Sequence, residues 1–288
     1  MMKVHRILST GLSVAALCLG SALLLAQPTA AAEGVLKLGY DVYLGGINIF
    51  YFEAKLEREG DRYVISGGGK TKGFVRLVWR WAVNATAKGI VDGTGVVSRS
   101  YDVTTIRKQK HKLLRLAFKG SGAYSISRTP PDSPRKRKKR QLPSSIPADT
   151  LDPVSVSLAV ADALARGGSC GGKFPIFDGN RRYDLIFKKV GEEYFSKPGF
   201  SKFSGLTHRC QFAMKRISGF RKKRAALRFW DEEKHEPPQI WLGRLKKGLP
   251  LVPVQFQAEF NLGYMIIYLS KAEYGGRSLL ASAPPAAK

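Results

Sequence analysis

The sequence predicts a mainly β protein: a strongly curved antiparallel sheet, or open barrel, wrapped around one central helix. Three observations lead there. Short runs of alternating apolar and polar residues recur along the chain, separated by glycine-rich or Asp-Gly punctuation, the pattern of hairpin-linked strands. One stretch, Asp152 to Arg166, carries apolar residues around most of a helical circumference, and a helix apolar nearly all round belongs in an interior. Cys170 and Cys210 follow that helix and are placed to staple the chain behind it.

The elements follow in order. The N-terminus has a basic start (Lys3, His5, Arg6), an apolar run from Ile7 to Ala26, and Ala30 and Ala32 at signal-peptidase spacing. Residues 1–32 are therefore expected to be a cleaved secretory signal, the alternative being a retained anchor. Cys18 follows Leu17, where lipoprotein processing wants a small residue, so no lipid anchor is expected there. Past this run no segment approaches the roughly 20 apolar residues of a membrane span, so the mature chain is expected to have no transmembrane span.

Residues 33–274 are expected to form a single β-rich domain. "VLKLGYDVYLGGINIFYFEAKLERE", Val35 to Glu59, reads as two strands around a Gly45-Gly46 turn, and "DRYVISGGGKTKG" as a third. "FVRLVWRW" suggests a short helix, and strands are expected near Ser98–Arg107, Leu113–Phe118 and Ala123–Ser127. Residues 128–149 hold five prolines and no aromatic residue, so a flexible loop is expected. Asp152 then offers an N-cap, Pro153 sits where proline is best tolerated, and Gly167-Gly168 stop the helix. Strands resume after an Asp178-Gly179 turn, and residues 275–288, small and proline-rich, are expected to fray.

Charge and motifs narrow the function classes. Lys and Arg number 48 against 22 Asp and Glu, and loss of Lys3 and Arg6 with the signal leaves +24. A field of that size draws a protein to anionic polymers or membrane surfaces. Export excludes nucleic acid as the expected partner and leaves an anionic envelope lipid or polymer, or a protein partner. The densest cations are Arg135, Lys136, Arg137, Lys138, Lys139 and Arg140, with Arg221, Lys222, Lys223 and Arg224 as a second run. They are candidates for anion binding, weighed against a solvated linker. "SGGGKTKG" imitates a phosphate-binding loop, but Val64 stands where the first glycine belongs and no helix is expected directly after Lys70; no nucleotide is expected. His111, His208 and His235 show no metal-ligand spacing. No catalytic constellation is found and no cofactor or metal is expected, so the chain is read as non-enzymatic. Phe50, Phe52, Trp79, Trp81, Trp241 and Tyr268 are candidates for an apolar pocket, the alternative being plain core. Cys170 and Cys210 favour a disulfide in an oxidising compartment. A reactive thiol near His208 and an unpaired or intermolecular cysteine are the alternatives.

Several blocks together resemble the exported bacterial proteins grouped as domain-of-unknown-function family 3108. They are "YDVYLGGINI", "TLDPVSVSLAVADAL", "GGSCGGKFPIFDGNRRYDL", "RISGF" and "PPQIWLGRLKKGLPLVPVQFQAEFNLGYMIIYL". The resemblance spans roughly residues 35–271 and implies a periplasmic location, while bringing no activity. The Arg135–Arg140 block is not part of the family pattern. The expected architecture is similar to periplasmic carriers that hold acyl chains between a bent sheet and a helix, an analogy of fold alone.

Overall fold

The computed structural model describes residues 34–135, 142–195, 202–220, 235–261 and 263–280. Seven strands precede the long helix: β1 (Leu36–Leu44), β2 (Ile47–Glu59), β3 (Arg62–Thr71), β4 (Trp81–Asp92), β5 (Gly95–Arg107), β6 (Lys110–Phe118) and β7 (Tyr124–Thr129). A single turn, α1 (Val75–Val78), lies between β3 and β4. After α2 (Ser155–Ala165) come β8 (Gly172–Phe177), β9 (Arg182–Phe195), β10 (Gly205–Ser218), β11 (Gln239–Arg244), β12 (Leu251–Phe260), β13 (Gly263–Tyr274) and β14 (Arg277–Ser278).

Two meanders make one antiparallel sheet. Each half pairs its strands in chain order, and β1 joins β13, giving the order β7-β6-β5-β4-β3-β2-β1-β13-β12-β11-β10-β9-β8, with β14 on β13. Helix α2 packs against both β5 and β12, which have five strands between them in that order. A flat sheet cannot touch one helix at two such distant strands, so the sheet curls around α2. Leu158, Ala159, Val160, Ala161 and Leu164 of the helix are buried. Its inner partners include Leu242, Leu251 and Phe187, and Leu242 and Leu269 are 0 % exposed. Each fully buried side chain of this kind contributes about 1.5–3 kcal/mol.

The curled sheet does not close: β7 and β8 are its two free edges. The gap is bridged by the chain between them. Ile146 donates its N–H to Gly122 O in the β6–β7 turn, while Leu151 donates its N–H to Pro175 O and accepts that of Phe177 along β8. Arg128 of β7 reaches across to the carbonyl of Gly179 at 2.5 Å. Of the flexible loop expected over 128–149, residues 142–149 are thus held in place, and 136–141 lie outside the described residues. Ile146 and Leu151 are buried, and two apolar anchors suffice to pin a proline-rich strap.

Local chemistry accounts for the turns. Asp178 Oδ1 accepts the N–H groups of Asn180 and Arg181 at 2.7 and 2.6 Å, and Gly179 takes φ +78°, which only glycine adopts freely. Gly67, Gly68 and Gly69 of "SGGGKTKG" lie within β3. A Cβ on Gly69 would fall 2.4 Å from the Phe50 ring, so the residue is small because aromatic rings cover it. The C-terminal end also differs from expectation. Residues 275–280 do not fray: β14 folds back on β13, and Leu279 and Leu280 pack on the core.

Candidate ligand-binding cavity

The helix is fixed at its N-terminal end by a buried polar cluster. Asp152, 0 % exposed, accepts the N–H groups of Val154 and Ser155 on Oδ1 and the hydroxyls of Ser98 and Ser155 on Oδ2, at 2.6–2.9 Å. Tyr63 of β3 donates to Ser155 Oγ at 2.7 Å. Asp152 thus does the capping that the sequence predicts, from three residues before Ser155, the first of the helix. Burial without a neighbouring cation pushes its carboxyl above the ordinary range, and burial raises the Tyr63 phenol to about 12.

At the other end, Gly167 takes φ +77°, and Arg166 pairs with Asp162 at 2.9 Å and donates to Gly93 O at 3.1 Å. Cys170 and Cys210 form a disulfide across 40 residues, both wholly buried. That removes the reactive-thiol alternative, and His208 instead faces Glu192 at 3.4 Å.

With α2 fixed at both ends, a cavity of about 210 Å³ remains between its C-terminal half and the sheet. Leu158, Ala161 and Ala165 of the helix form one wall, and Leu36, Leu56 and Tyr274 form the other, with Leu249 and Pro250 across the mouth. Two guanidiniums, Arg58 and Arg244, are set among this hydrocarbon, beside the already paired Asp162. Arg244 donates to Leu249 O at 2.5 Å. Arg58 Nε is buried and has no hydrogen-bond partner among the described residues. A buried N–H of a charged group left without an acceptor is costly, and an anionic ligand at this position removes the cost.

The volume sets what enters. An apolar cavity of about 150 Å³ admits benzene, whereas pockets for drug-sized ligands start near 300 Å³. The space takes the end of one acyl chain or a single ring, not a whole lipid, because α2 fills the rest.

The predicted site residues lie elsewhere. Phe50, Trp79 and Trp81 form a ladder near α1, with ring centroids 5.2 and 6.1 Å apart. Phe52 stacks on Tyr40 at 4.7 Å, and Tyr268 meets Tyr43 edge-on at 6.0 Å. Trp241 is buried, donates to Glu193 at 2.9 Å and lies under Arg209 at 5.3 Å. None of these six lines the cavity. Arg135 is exposed, while Lys136 to Arg140 and Arg221 to Arg224 lie outside the described residues. Among the described residues no three His, Cys, Asp or Glu side chains gather as a metal site. No helix among them is long and apolar enough to cross a membrane, which says nothing of a β-barrel.

The sequence matches the family described as "Protein of unknown function (DUF3108)" over residues 39–269. The chain belongs to that family. The match takes in both meanders, the strap and α2, as the sequence blocks around Asp152 and Cys170 anticipate. No curated protein matches. Among solved structures, a β-barrel-like protein of domain of unknown function DUF1849 from Brucella abortus is similar at 11 % identity. That match covers 85 % of this chain and 99 % of that one, with a TM-score of 0.46.

Proposed function

We propose that this protein is an exported, periplasmic binding protein of the cell envelope that holds an anionic amphiphile without transforming it. The apolar end of the ligand enters the cavity beside α2, and its acidic head meets Arg58 and Arg244. The observation that carries this reading is the buried, unpartnered Arg58 Nε at the edge of a hydrocarbon-walled cavity. The Cys170–Cys210 disulfide supports an oxidising compartment, and the signal-like N-terminus supports export.

The test uses decanoate as probe, titrated calorimetrically into the mature protein. Wild type is expected to bind it at one site. Arg58→Gln with Arg244→Gln weakens binding by about tenfold or more, since charge-assisted bonds of roughly 1.5–3 kcal/mol are lost. Ala165→Trp, placed at an exposed position of the cavity wall, blocks entry without unfolding the protein. An absence of binding to wild type, or affinity unchanged in both variants, overturns the proposal.

A further inference from the structure

A second surface lies at the opposite end of the barrel. Arg58 is near the C-terminal end of β2, beside the β2–β3 turn, whereas the β3–β4 connection leaves the far end of β3, ten residues and about 33 Å away. That connection is α1 and its flanks. Phe74, Leu77, Val78 and Trp79 are 61, 85, 86 and 51 % exposed, four large apolar side chains within six residues. Their backbone is nonetheless held. Leu77 N–H bonds Phe74 O at 2.9 Å, Trp79 N–H bonds Val75 O at 2.7 Å, and Lys72 N–H ties the base to Ile49 O. Trp79 also stacks on Trp81. The crest is therefore a built projection.

Its surroundings are cationic. Lys70, Lys72, Arg76 and Arg80 fall within the same stretch, residues 70–91 contain no acid, and the one ion pair here joins Lys72 to Asp41 of β1 at 3.0 Å among the described residues. The β5–β6 turn adds Lys108, whose N–H bonds Arg80 O at 3.3 Å, with Lys110 beside it. Ile47, 46 % exposed, heads the adjoining β2. A convex apolar crest ringed by lysine and arginine matches a flat anionic bilayer: aromatic and aliphatic groups enter the head-group boundary while the cations reach the phosphates. Apart from the Lys72–Asp41 pair the rim is basic, unlike the groove or evenly mixed rim that would suit a protein partner.

We propose that Phe74, Leu77, Val78 and Trp79, ringed by Arg76, Arg80 and Lys108, dock the protein on an anionic lipid bilayer. This surface is independent of the cavity, and vesicle binding and decanoate binding report on the two separately.

The experiment is co-sedimentation of the mature protein with phosphatidylglycerol-containing vesicles and with phosphatidylcholine vesicles. Wild type is expected to bind the first and not the second, more weakly as salt rises. Arg76→Gln with Arg80→Gln should lose roughly thirtyfold, at about fivefold per cation. Phe74→Ser, Leu77→Ser and Val78→Ser combined should lose at least about tenfold in binding while the melting temperature holds, because these side chains are mostly in water already. Equal vesicle binding by the serine variant overturns the proposal, since cations alone would then suffice. So does a wild type that ignores vesicles and sediments as a dimer that the serine variant breaks, making the crest a contact between copies.

Discussion

Asp152→Ala is the most informative single change to the fold. The carboxylate accepts two backbone N–H groups and the Ser98 and Ser155 hydroxyls from a position with no access to water. Loss of an N-cap costs about 1 kcal/mol and up to about 2. Each buried donor left without an acceptor adds about 1–3 kcal/mol, although the hydroxyls can turn elsewhere. The expected total is about 3–5 kcal/mol, read as a lower urea midpoint at unchanged slope with the disulfide intact. Asp152→Asn keeps the acceptor for the two N–H groups and offers its amide to the hydroxyls, so its cost should stay below about 1.5 kcal/mol at neutral pH. Burial raises the folded-state pKa of Asp152, so folding favours the protonated acid. Its contribution is fully present below the unfolded value of about 3.9 and is lost as pH rises through the folded one. The margin of wild type over Asp152→Asn should therefore shrink from pH 3 toward pH 7, on the order of those pKa values. A cost for Asp152→Ala under about 1 kcal/mol, or a margin that does not change with pH, would refute the reasoning.

Three further outcomes follow from the packing. Replacing Cys170 and Cys210 together by serine should cost about 3–4 kcal/mol by loop closure over 40 residues, seen as a wild-type midpoint that falls to the variant's on adding reductant. Leu242→Ala, at a side chain with no exposure between α2 and the sheet, should cost about 2–5 kcal/mol in the same unfolding assay. Arg182 and Asp184 form a buried ion pair at 2.5 Å. Arg182→Leu alone should cost about 3–5 kcal/mol, and adding Asp184→Leu should recover most of it, because a lone buried charge costs more than none.

The fold was legible wherever one residue does a local job. Asp152 as cap, Asp178-Gly179 as turn, Gly45-Gly46 as hairpin and the all-round apolar helix each announce themselves in a few positions. The cavity does not. Its walls come from five separated segments around Leu36, Leu56, Leu158, Leu249 and Tyr274, and no spacing connects them. Arg58 stands in a Glu-Arg-Glu run that reads as a solvated strand face. Aromatic residues at strand spacing were equally mute, since periodicity gives the side of a strand but not which strands will face one another. The strap was hidden by composition: prolines and cations before Ile146 and Leu151 outweigh the two apolar residues that pin it. "FVRLVWRW" forms the short helix its sequence suggests, yet Phe74, Leu77, Val78 and Trp79 face water. The expectation that apolar residues seek the core holds only where a surface is available to receive them.

Native mass spectrometry of protein recovered from its source cells without detergent tests the central claim, that the space beside α2 holds an acidic amphiphile. The account predicts an adduct with the mass of a fatty acid or similar anionic molecule, retained by wild type and lost in Ala165→Trp. Bare polypeptide mass for wild type, or an adduct that survives in Ala165→Trp, would contradict it.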